Sequence, residues 1–441
     1  MPHRSVNPAT GEILAEYPCL DEAGLLSGFA QLRGLDRAKD RRRLFALLAQ
    51  RLREECDRHA SLLTIEMGKP IGEARAEVRK CATLCEYYSE RDFLTPLQVE
   101  TDASSSHVEY LPLGVVLGIM PWNFPYWQVF RAAVPALCAG NAFALKHAPN
   151  VPQCALEIER LFRECGFPFS TFLIETDLAE RAISLSDAVT FTGSETAGRK
   201  VAAVAGSHLR KCVLELGGSD PFIVLHDADI EAAADAAVAS RFMNCGQSCI
   251  AAKRIILVSG IEEEFLSRFR EGVGALRMGD PMQEECSIGP MARADLRDLL
   301  HAQVQDAIER GSVAVTGCEP VSGPGFHYRP SILDRVPPDA RVLREEVFGP
   351  VAVLLHARDE EDAVRLANDT RYGLGASVWS RDIDRAQHLG RRIEAGSVFV
   401  NAMVKSDPRL PFGGVKASGF GRELSFFGVQ EFVNVKTVWV K

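Results

Sequence analysis

Apolar positions in the first part of the chain follow the helical period. Between Asp36 and Glu66, leucines such as Leu44, Leu48 and Leu52 recur at intervals of four residues within a charged background. That spacing places them on one face of a helix. The pattern therefore predicts one amphipathic helix over 36–66, which ends at Gly68-Lys69-Pro70.

A second helical pattern and an alternating pattern follow. The second helix is predicted from Ile71 to about Phe93, with Cys81 and Cys85 one turn apart on a buried face. Between Leu97 and Val116 apolar and polar residues alternate around a serine-rich centre. Alternation of this kind is typical of a strand with one buried face, so we expect a β-hairpin or extended arm.

From Val115 onward, short apolar runs alternate with helical patterns. The predicted strands are 115–120, 142–146, 171–174, 188–192 and 212–216, and the predicted helices between them are 154–165 and 195–207. The same alternation restarts at 221–224 and continues to about Asn401. It is typical of parallel sheets covered by helices on both faces. We therefore expect an α/β protein with two domains that meet near 215–221, where Gly217-Gly218 offers a flexible joint.

Composition and charge narrow the range of functions. The chain has 441 residues and a net charge of -9 with no long basic tract, which argues against nucleic acid and anionic membranes as partners. No apolar run reaches the roughly 18 residues of a membrane span, and the polar N-terminus has no signal-peptide core. We expect a cytoplasmic protein. The 12 cysteines lack zinc-site spacing, so we expect free thiols and no metal.

Cys249 is the first candidate for chemistry. An alanine-rich helix over 231–240, with Asp229 as its cap, breaks at Asn244 and Gly246, and a strand follows at 254–258. Cys249 is thus predicted on a loop between a helix and a strand, a suitable place for a nucleophile. For a lone cysteine, however, a small buried apolar residue is the commoner role.

Two polar residues have a physical reason to act together with this thiol. Asn123 lies between two prolines in Pro121-Trp-Asn-Phe-Pro125, where its amide can face a developing oxyanion, although such an Asn more often satisfies a turn. Glu215 ends an apolar strand in Leu-Glu-Leu-Gly-Gly, where desolvation raises a carboxyl pKa towards that of a general base. An interdomain ion pair is an equally good interpretation of Glu215.

Two further stretches suit a nucleotide. Val189-Thr-Phe-Thr-Gly-Ser194 turns from a strand directly into a helix, whose free backbone N–H groups suit a pyrophosphate, although it is not GxGxxG. Glu346-Val-Phe-Gly-Pro350 combines a carboxylate for ribose hydroxyls with an aromatic ring for a flat group. A plain turn is the alternative for this second stretch.

Together these stretches resemble the aldehyde dehydrogenase superfamily. The six motifs are Pro-Trp-Asn-Phe-Pro, Phe-Thr-Gly-Ser, Leu-Glu-Leu-Gly-Gly, Gly-Gln-Ser-Cys, Glu-Val-Phe-Gly-Pro and Pro-Phe-Gly-Gly, and they occur in family order over nearly the whole chain. The resemblance implies that Cys249 attacks an aldehyde while Asn123 and the Cys249 backbone N–H hold the oxyanion. Glu215 would activate the water that releases a free carboxylic acid.

The resemblance also implies cofactor and substrate residues. NAD or NADP would be held by Trp122, Lys146, Gly193, Ser194, Glu346 and Phe348. The place where NAD-preferring members carry a Glu that repels a 2′-phosphate is Pro149 here, which leaves NADP admissible.

The substrate pocket is expected to be cationic. Arg131 stands where succinate-semialdehyde dehydrogenases carry an Arg, and a guanidinium suits a distal carboxylate, although an Arg lying along the domain edge is the alternative. A second Arg of those enzymes is Met243 here, and Arg409, in the stretch beginning at Ser406, is a candidate replacement. The chain is most similar to a short bacterial subgroup of these enzymes. The expected substrate is succinate semialdehyde, with glutarate semialdehyde as competitor.

The domain plan follows from the same resemblance. Two Rossmann-like domains are expected: a cofactor-binding domain of 1–93 and 113–217 with part of 418–431, and a catalytic domain of 218–417. A β arm of 94–112 and 432–441 would join copies into a homodimer or homotetramer. A thiol amidase that uses Cys249, Glu215 and a Lys leaves the nucleotide-like stretches unexplained. A non-catalytic role gives no reason for Cys249, Glu215 and Asn123 to occur together. A Cys245–Cys249 disulfide under oxidation stays open.

Overall fold

Strands and helices alternate through most of this computed structural model, which describes residues 2–35 and 40–441. The helices are α1 (Glu22–Gly34), α2 (Arg41–Glu54), α3 (Cys56–Met67), α4 (Ile71–Ser89), α5 (Trp127–Cys138), α6 (Pro152–Glu164), α7 (Ala179–Leu185), α8 (Glu195–Ser207), α9 (Ile230–Phe242), α10 (Glu262–Gly274), α11 (Ala294–Glu309), α12 (Arg341–Arg344), α13 (Glu360–Asn368), α14 (Ile383–Gly390) and α15 (Ser425–Gln430).

The strands form four sheets. They are β1 (His3–Val6), β2 (Ile13–Tyr17), β3 (Leu97–Gln98), β4 (Ser105–Pro112), β5 (Val115–Met120), β6 (Ala142–His147), β7 (Phe169–Thr171), β8 (Ala188–Thr192), β9 (Lys211–Glu215), β10 (Asp220–Val224), β11 (Ala252–Val258), β12 (Val313–Thr316), β13 (Ser331–Asp334), β14 (Val351–Ala357), β15 (Gly375–Trp379), β16 (Ser397–Val400), β17 (Gly419–Phe420) and β18 (Val433–Val440). The short strands β1 and β2 pair with each other.

Two of these sheets are mainly parallel, which confirms the predicted α/β class. The first has the order β17-β9-β8-β5-β6-β7 and the second the order β12-β13-β14-β11-β10-β15-β16. Only the edge strands β17 and β12 run antiparallel to their neighbours. The central strands β5 and β11 are almost entirely apolar and buried, as expected where helices cover both faces. Each sheet has its own buried apolar cluster.

The predicted arm is a three-stranded antiparallel sheet of the order β18-β4-β3. Strand β18, from the C-terminus, pairs with β4 along its whole length, from Val433 opposite Pro112 to Val440 opposite Ser105. The alternating pattern over 97–116 therefore belongs to two sheets. Most of it forms β3 and β4 of the arm, and its last residues belong to β5 in the first parallel sheet. A register of this kind between distant segments is not visible in the local pattern.

Several predicted boundaries were wrong by a few residues. The single helix expected over 36–66 is two helices, α2 and α3, because the backbone breaks at Glu55; its predicted start at Asp36 lies outside the described residues. Helix α4 ends at Ser89 rather than near Phe93, and β7 is Phe169–Thr171 rather than 171–174. Among residues 2–35 and 40–441, no helix is both long and apolar enough to cross a membrane.

Strand β17 gives a test of the fold next to Glu215. Gly419 has φ +111°, and a Cβ there would lie 2.0 Å from the backbone oxygen of Leu214, its neighbour in β9. Gly311 has φ +107° with open space around it, so Gly311→Ala carries the backbone strain without the clash. We expect Gly311→Ala to cost about 1 kcal/mol and Gly419→Ala clearly more, because β17 must separate from β9. Thermal unfolding measures the effect of each variant as a lowering of the apparent melting temperature. An equal lowering in Gly311→Ala and Gly419→Ala would contradict this account.

Candidate active site

Cys249 lies on a short, tightly held loop between α9 and β11. Helix α9 is capped as predicted, since the Asp229 side chain accepts a hydrogen bond from Ala232 N. After it, Asn244, Cys245 and Gly246 all have positive φ, from 54° to 67°, and this turns the chain sharply. Two of these are not glycine, which is uncommon and indicates that surrounding contacts hold the loop.

Buried hydrogen bonds hold this loop. The guanidinium of Arg241 donates to the backbone oxygens of Gly246, Val347, Gly349 and Val351. Glu73 accepts from the backbone N–H of Asn244 at 2.7 Å. A Cβ on Gly246 would lie 2.3 Å from the oxygen of Gly349, so only glycine fits there. The loop thus has one packed position against the segment that follows Glu346.

Asn123 meets the loop from the first parallel sheet. Its Nδ2 donates to the oxygen of Gln247 at 3.0 Å, and the Asn244 side chain in turn donates to the oxygen of Asn123 at 2.7 Å. The Asn123 side-chain amide has two N–H donors, so one stays available for a ligand. The Asn123 side chain therefore bonds to the loop of Cys249 and not to the backbone of its own turn, and both residues line one cavity.

Cys249 lines two cavities. The first, of about 250 Å³, is also lined by Trp122, Asn123, Gly193, Ser194, Glu346 and Phe348, all of which the sequence singled out. The second, of about 150 Å³, is also lined by Lys80, Trp127, Arg131, Met243, Ser406 and Phe412. One thiol is thus accessible to two separate groups of side chains.

The first cavity has the features of a nucleotide site. Ser194 caps α8 by accepting from Ala197 N, at the junction of β8 with that helix. Glu346 accepts from Lys253 Nζ at 2.9 Å and from Gly218 N at 3.1 Å. The rings of Trp122 and Phe348 meet edge to face, with centroids 5.7 Å apart. A helix N-terminus, a carboxylate and two rings in one cavity fit a dinucleotide.

Lys146 and the glycine pair differ in part from expectation. Lys146 lies at the end of β6, outside the first cavity, and burial lowers its pKa. Gly217-Gly218, expected as a flexible joint, is closely packed, and its flexibility stays a prediction. A Cβ on Gly217 would lie 2.4 Å from the Glu346 carboxylate, and one on Gly218 would lie 2.5 Å from the Cys249 oxygen. These glycines let the two sheets approach each other.

Glu215 is buried beside Arg131 at the end of β9. Its Oε2 lies 3.8 Å from Nη2 of Arg131, and both side chains are 2% exposed. Arg131 also forms an ion pair with Glu423, and its guanidinium lies 4.4 Å from the ring centroid of Phe412. Burial raises the pKa of Glu215, and Arg131 opposes that rise. Arg131, Glu215 and Glu423 all lie in segments predicted for the cofactor-binding domain, so this is not the interdomain pair that was expected. The role of Glu215 as a base stays a prediction.

The thiol of Cys249 is in an apolar environment. Burial raises its pKa to about 12, while Arg131 and Lys253 act to lower it. The thiol is therefore protonated at neutral pH in the free protein, and its attack on an electrophile needs a base. Burial also raises the pKa of Cys245, and a disulfide between Cys245 and Cys249 stays a prediction.

Arg409 is not where the sequence led us to expect it. Its side chain is 71% exposed and donates through Nε and Nη2 to Asp407, outside the second cavity. Ser406, from the same stretch, does line that cavity. The short loop 406–409 places these two side chains on opposite sides, and the sequence gives no sign of which one faces inward.

Three residues of the site were missed in the sequence. Lys80 of α4 lines the second cavity, Glu423 pairs with Arg131, and Lys253 binds Glu346. Lys253 lies four residues after Cys249, and Glu423 belongs to the Arg-Glu-Leu-Ser stretch at 422–425, so both had a local signal. Lys80 had none, because it is one of several charged residues on an amphipathic helix.

A separate group of Glu55, His59 and Glu157 has atoms close enough to hold a metal ion. Its carboxylates already accept from Arg58 and Arg160, which supply the compensating charge. We assign no ion to it.

Comparisons with known proteins point to one family. The model of the "Aldehyde dehydrogenase family" matches residues 2–438. The chain is 46% identical to a probable succinate-semialdehyde dehydrogenase [NADP(+)] of Synechocystis sp., over 99% of each chain. It is 47% identical to the succinate semialdehyde dehydrogenase [NAD(P)+] Sad of Escherichia coli, over 99% of this chain and 97% of that one.

Solved structures have the same fold. The structure of Gox0499 superposes with a TM-score of 0.97 at 38% identity over 100% of both chains. The succinic semialdehyde dehydrogenase of Streptococcus pyogenes, solved with NADP+ as the cofactor, superposes with a TM-score of 0.96 at 33% identity over 99% of both chains.

The raised pKa of Cys249 predicts how the thiol reacts with iodoacetamide. Because only the thiolate is alkylated, the rate in the free protein should rise about tenfold per pH unit between about pH 7 and about pH 9, without a plateau. The tryptic peptide that ends at Lys253 contains both Cys245 and Cys249, so fragmentation in the mass spectrometer must assign the label. A plateau at neutral pH would show that Arg131 and Lys253 outweigh burial.

Proposed function

The chain belongs to the aldehyde dehydrogenase family, and on that premise we propose that it oxidises succinate semialdehyde to succinate with NADP or NAD. The observation that carries the proposal is the position of Cys249 between a cavity suited to a dinucleotide and a cavity that contains cations. Relatives with both substrate and cofactor in their names support it.

The three residues predicted as catalytic have separate roles in this proposal. Glu215 accepts the thiol proton of Cys249 and passes it to solvent, while Sγ attacks the aldehyde carbon. The carbonyl oxygen becomes an oxyanion that the free N–H of Asn123 and the Cys249 backbone N–H stabilise. Glu215, with its raised pKa, takes a proton from the water that later attacks the thioester. That water supplies the second oxygen of the carboxylate and displaces Cys249 as a thiol.

The first cavity would hold the cofactor, which accepts a hydride when bound. Gly193 and Ser194 at the start of α8 suit the pyrophosphate, Glu346 suits the nicotinamide ribose, and Phe348 and Trp122 border the ring. Lys146 would reach the adenosine ribose from β6. Pro149 brings no negative charge near a 2′-phosphate, so NADP and NAD both stay admissible.

The second cavity would hold the substrate. Arg131 and Ser406 supply polar contacts and Phe412 an apolar wall, next to the thiol. Positive charge favours an aldehyde with a distal carboxylate over a plain alkyl aldehyde. Glutarate semialdehyde carries the same groups on a longer chain and is the second candidate.

We also infer the assembly and the domain plan. The arm sheet leaves β18 as an edge strand with Val435, Trp439 and Val440 half exposed, which suits pairing with a second copy. A homodimer or homotetramer is therefore proposed.

The cofactor-binding domain would be 1–93 and 113–217 with part of 418–431, and the catalytic domain 218–417. The free state of all 12 cysteines supports a reducing compartment such as the cytoplasm.

The reaction is tested by following reduced nicotinamide at about 340 nm with succinate semialdehyde and either NAD or NADP. We expect an increase in absorbance with at least one of the two, and no increase with Cys249→Ala. An increase only with glutarate semialdehyde or an alkyl aldehyde would keep the chemistry and reject the substrate. Amide hydrolysis without any nicotinamide reduction would favour the thiol amidase.

Substitution of Glu215 by Gln tests the proposed base. Glu215→Gln keeps the shape of the side chain, and we expect steady-state turnover to fall by about 10²- to 10⁴-fold, because water is no longer activated. In the unmodified enzyme the activity should rise as the pH increases, because the raised pKa leaves the carboxyl protonated at lower pH. The part of this increase in activity that depends on Glu215 should be absent in Glu215→Gln. Turnover within about threefold of the unmodified enzyme would contradict the role.

A further inference from the structure

We propose that Lys80, together with the hydroxyl of Ser406, binds the distal carboxylate of the substrate. This inference rests on the proposed function and assigns a residue that the motifs did not indicate. Lys80 is on α4, opposite the loop that carries Ser406, and both side chains line the second cavity together with Cys249.

The ammonium group of Lys80 has a defined position. Its Nζ donates to Ser406 Oγ at 2.7 Å and lies 4.1 Å from the ring centroid of Trp127. Burial and, to a smaller extent, Arg131 lower the pKa of Lys80 to about 8, against the opposite effect of Glu77 and Asp407. The amine is therefore still mostly protonated at neutral pH. An ammonium with three N–H donors, one of them given to Ser406, has donors left for a ligand.

Three other cations near this site are already paired with carboxylates. Arg131 pairs with Glu423 and faces Glu215, Lys69 pairs with Glu77, and Arg409 pairs with Asp407. Lys80, by contrast, has a hydroxyl and an aromatic face as its close partners. Within the described ranges 2–35 and 40–441, no carboxylate forms an ion pair with it. Lys80 is half-buried. Because a cation that is largely removed from water is costly without a paired anion, an anionic ligand supplies the missing partner.

Ser406 adds a second donor. Its Oγ accepts from Lys80 Nζ and also from Trp127 Nε1 at 3.1 Å. A hydroxyl has two acceptor sites and one donor. Both acceptor sites of the Ser406 hydroxyl are used, so its O–H can only donate to a further acceptor. Ser406 lines the cavity, where a ligand can be that acceptor. Lys80 and Ser406 therefore present a charged and a neutral donor side by side, which suits the two oxygens of one carboxylate.

The two ends of the cavity then recognise the two ends of the substrate. Cys249 reacts with the aldehyde, and the apolar walls of Phe124 and Phe412 border the carbon chain. Arg131 contributes positive potential at the same cavity, although two carboxylates also hold it. Lys80 adds, together with Ser406, a direct contact to the distal carboxylate.

The test compares specificity, not activity alone. For Lys80→Met, the ratio of kcat/KM for succinate semialdehyde to kcat/KM for butanal should fall by about 10- to 100-fold, the loss expected for hydrogen bonds to a charged group. The inhibition constant of glutarate should rise by a similar factor. Lys80→Arg should restore most of the ratio. Arg79→Met is the matched control, because it removes an exposed cation one residue earlier on the same helix and should leave the ratio unchanged.

The outcomes separate this inference from the proposed function. If the unmodified enzyme oxidises butanal but not succinate semialdehyde, the proposed substrate is wrong. If it oxidises succinate semialdehyde and Lys80→Met keeps the ratio within about threefold, the role of Lys80 is wrong and the function stands. Equal losses for both aldehydes would indicate a structural role and would also reject the inference. If Lys80→Met does not fold, the same ratio of kcat/KM values is measured for Lys80→Gln and for Lys80→Arg. A ratio lowered in Lys80→Gln and restored in Lys80→Arg supports the role of Lys80, and equal ratios reject it.

Discussion

A buried arginine between two carboxylates is the constraint on which the site depends. Arg131 comes from α5, Glu215 from β9 and Glu423 from the segment before α15, so this group joins three parts of the chain that are far apart in sequence. Burying a charge is tolerated only with such partners. Removal of Arg131 would leave two buried carboxylates without a paired cation next to Cys249. Arg131 lowers the pKa of that thiol, whereas Glu215 raises it.

Close backbone approach is the second constraint. The loop of Cys249 lies between the two parallel sheets, and Gly217, Gly218 and Gly246 let it contact Glu346 and the oxygen of Gly349 without steric conflict. Arg241 and Lys253 then replace water as hydrogen-bond donors to this packed backbone. The result is a thiol that is accessible from two cavities while the loop itself stays fixed, which is what a reaction between two bound molecules requires.

Much of the site was predictable because its residues lie in local motifs with a physical reason. Cys249, Asn123 and Glu215 each follow the end of a helix or strand, and the carboxyl ends of parallel strands meet at one edge of a sheet. Ser194 and Glu346 were found in the same way, and the structure places both at the first cavity. Boundaries were less predictable, because the helix breaks at Glu55 although the amphipathic pattern of the sequence continues through it. The pairing of β4 with β18 was not predictable either, because the two strands are far apart in the sequence.

The sequence by itself determined the α/β class, the family and the candidate residues for the chemistry, because periodicity and short motifs depend on neighbouring residues. Only the tertiary structure decided which cations are free to bind a ligand. Arg131, Arg409 and Lys80 are equally charged in the sequence, but Arg131 pairs with Glu423, Arg409 turns outward to Asp407, and Lys80 lies beside Ser406. The available charge of a side chain depends on its partners in space, and for Lys80 the decisive partner is 326 positions further along the chain.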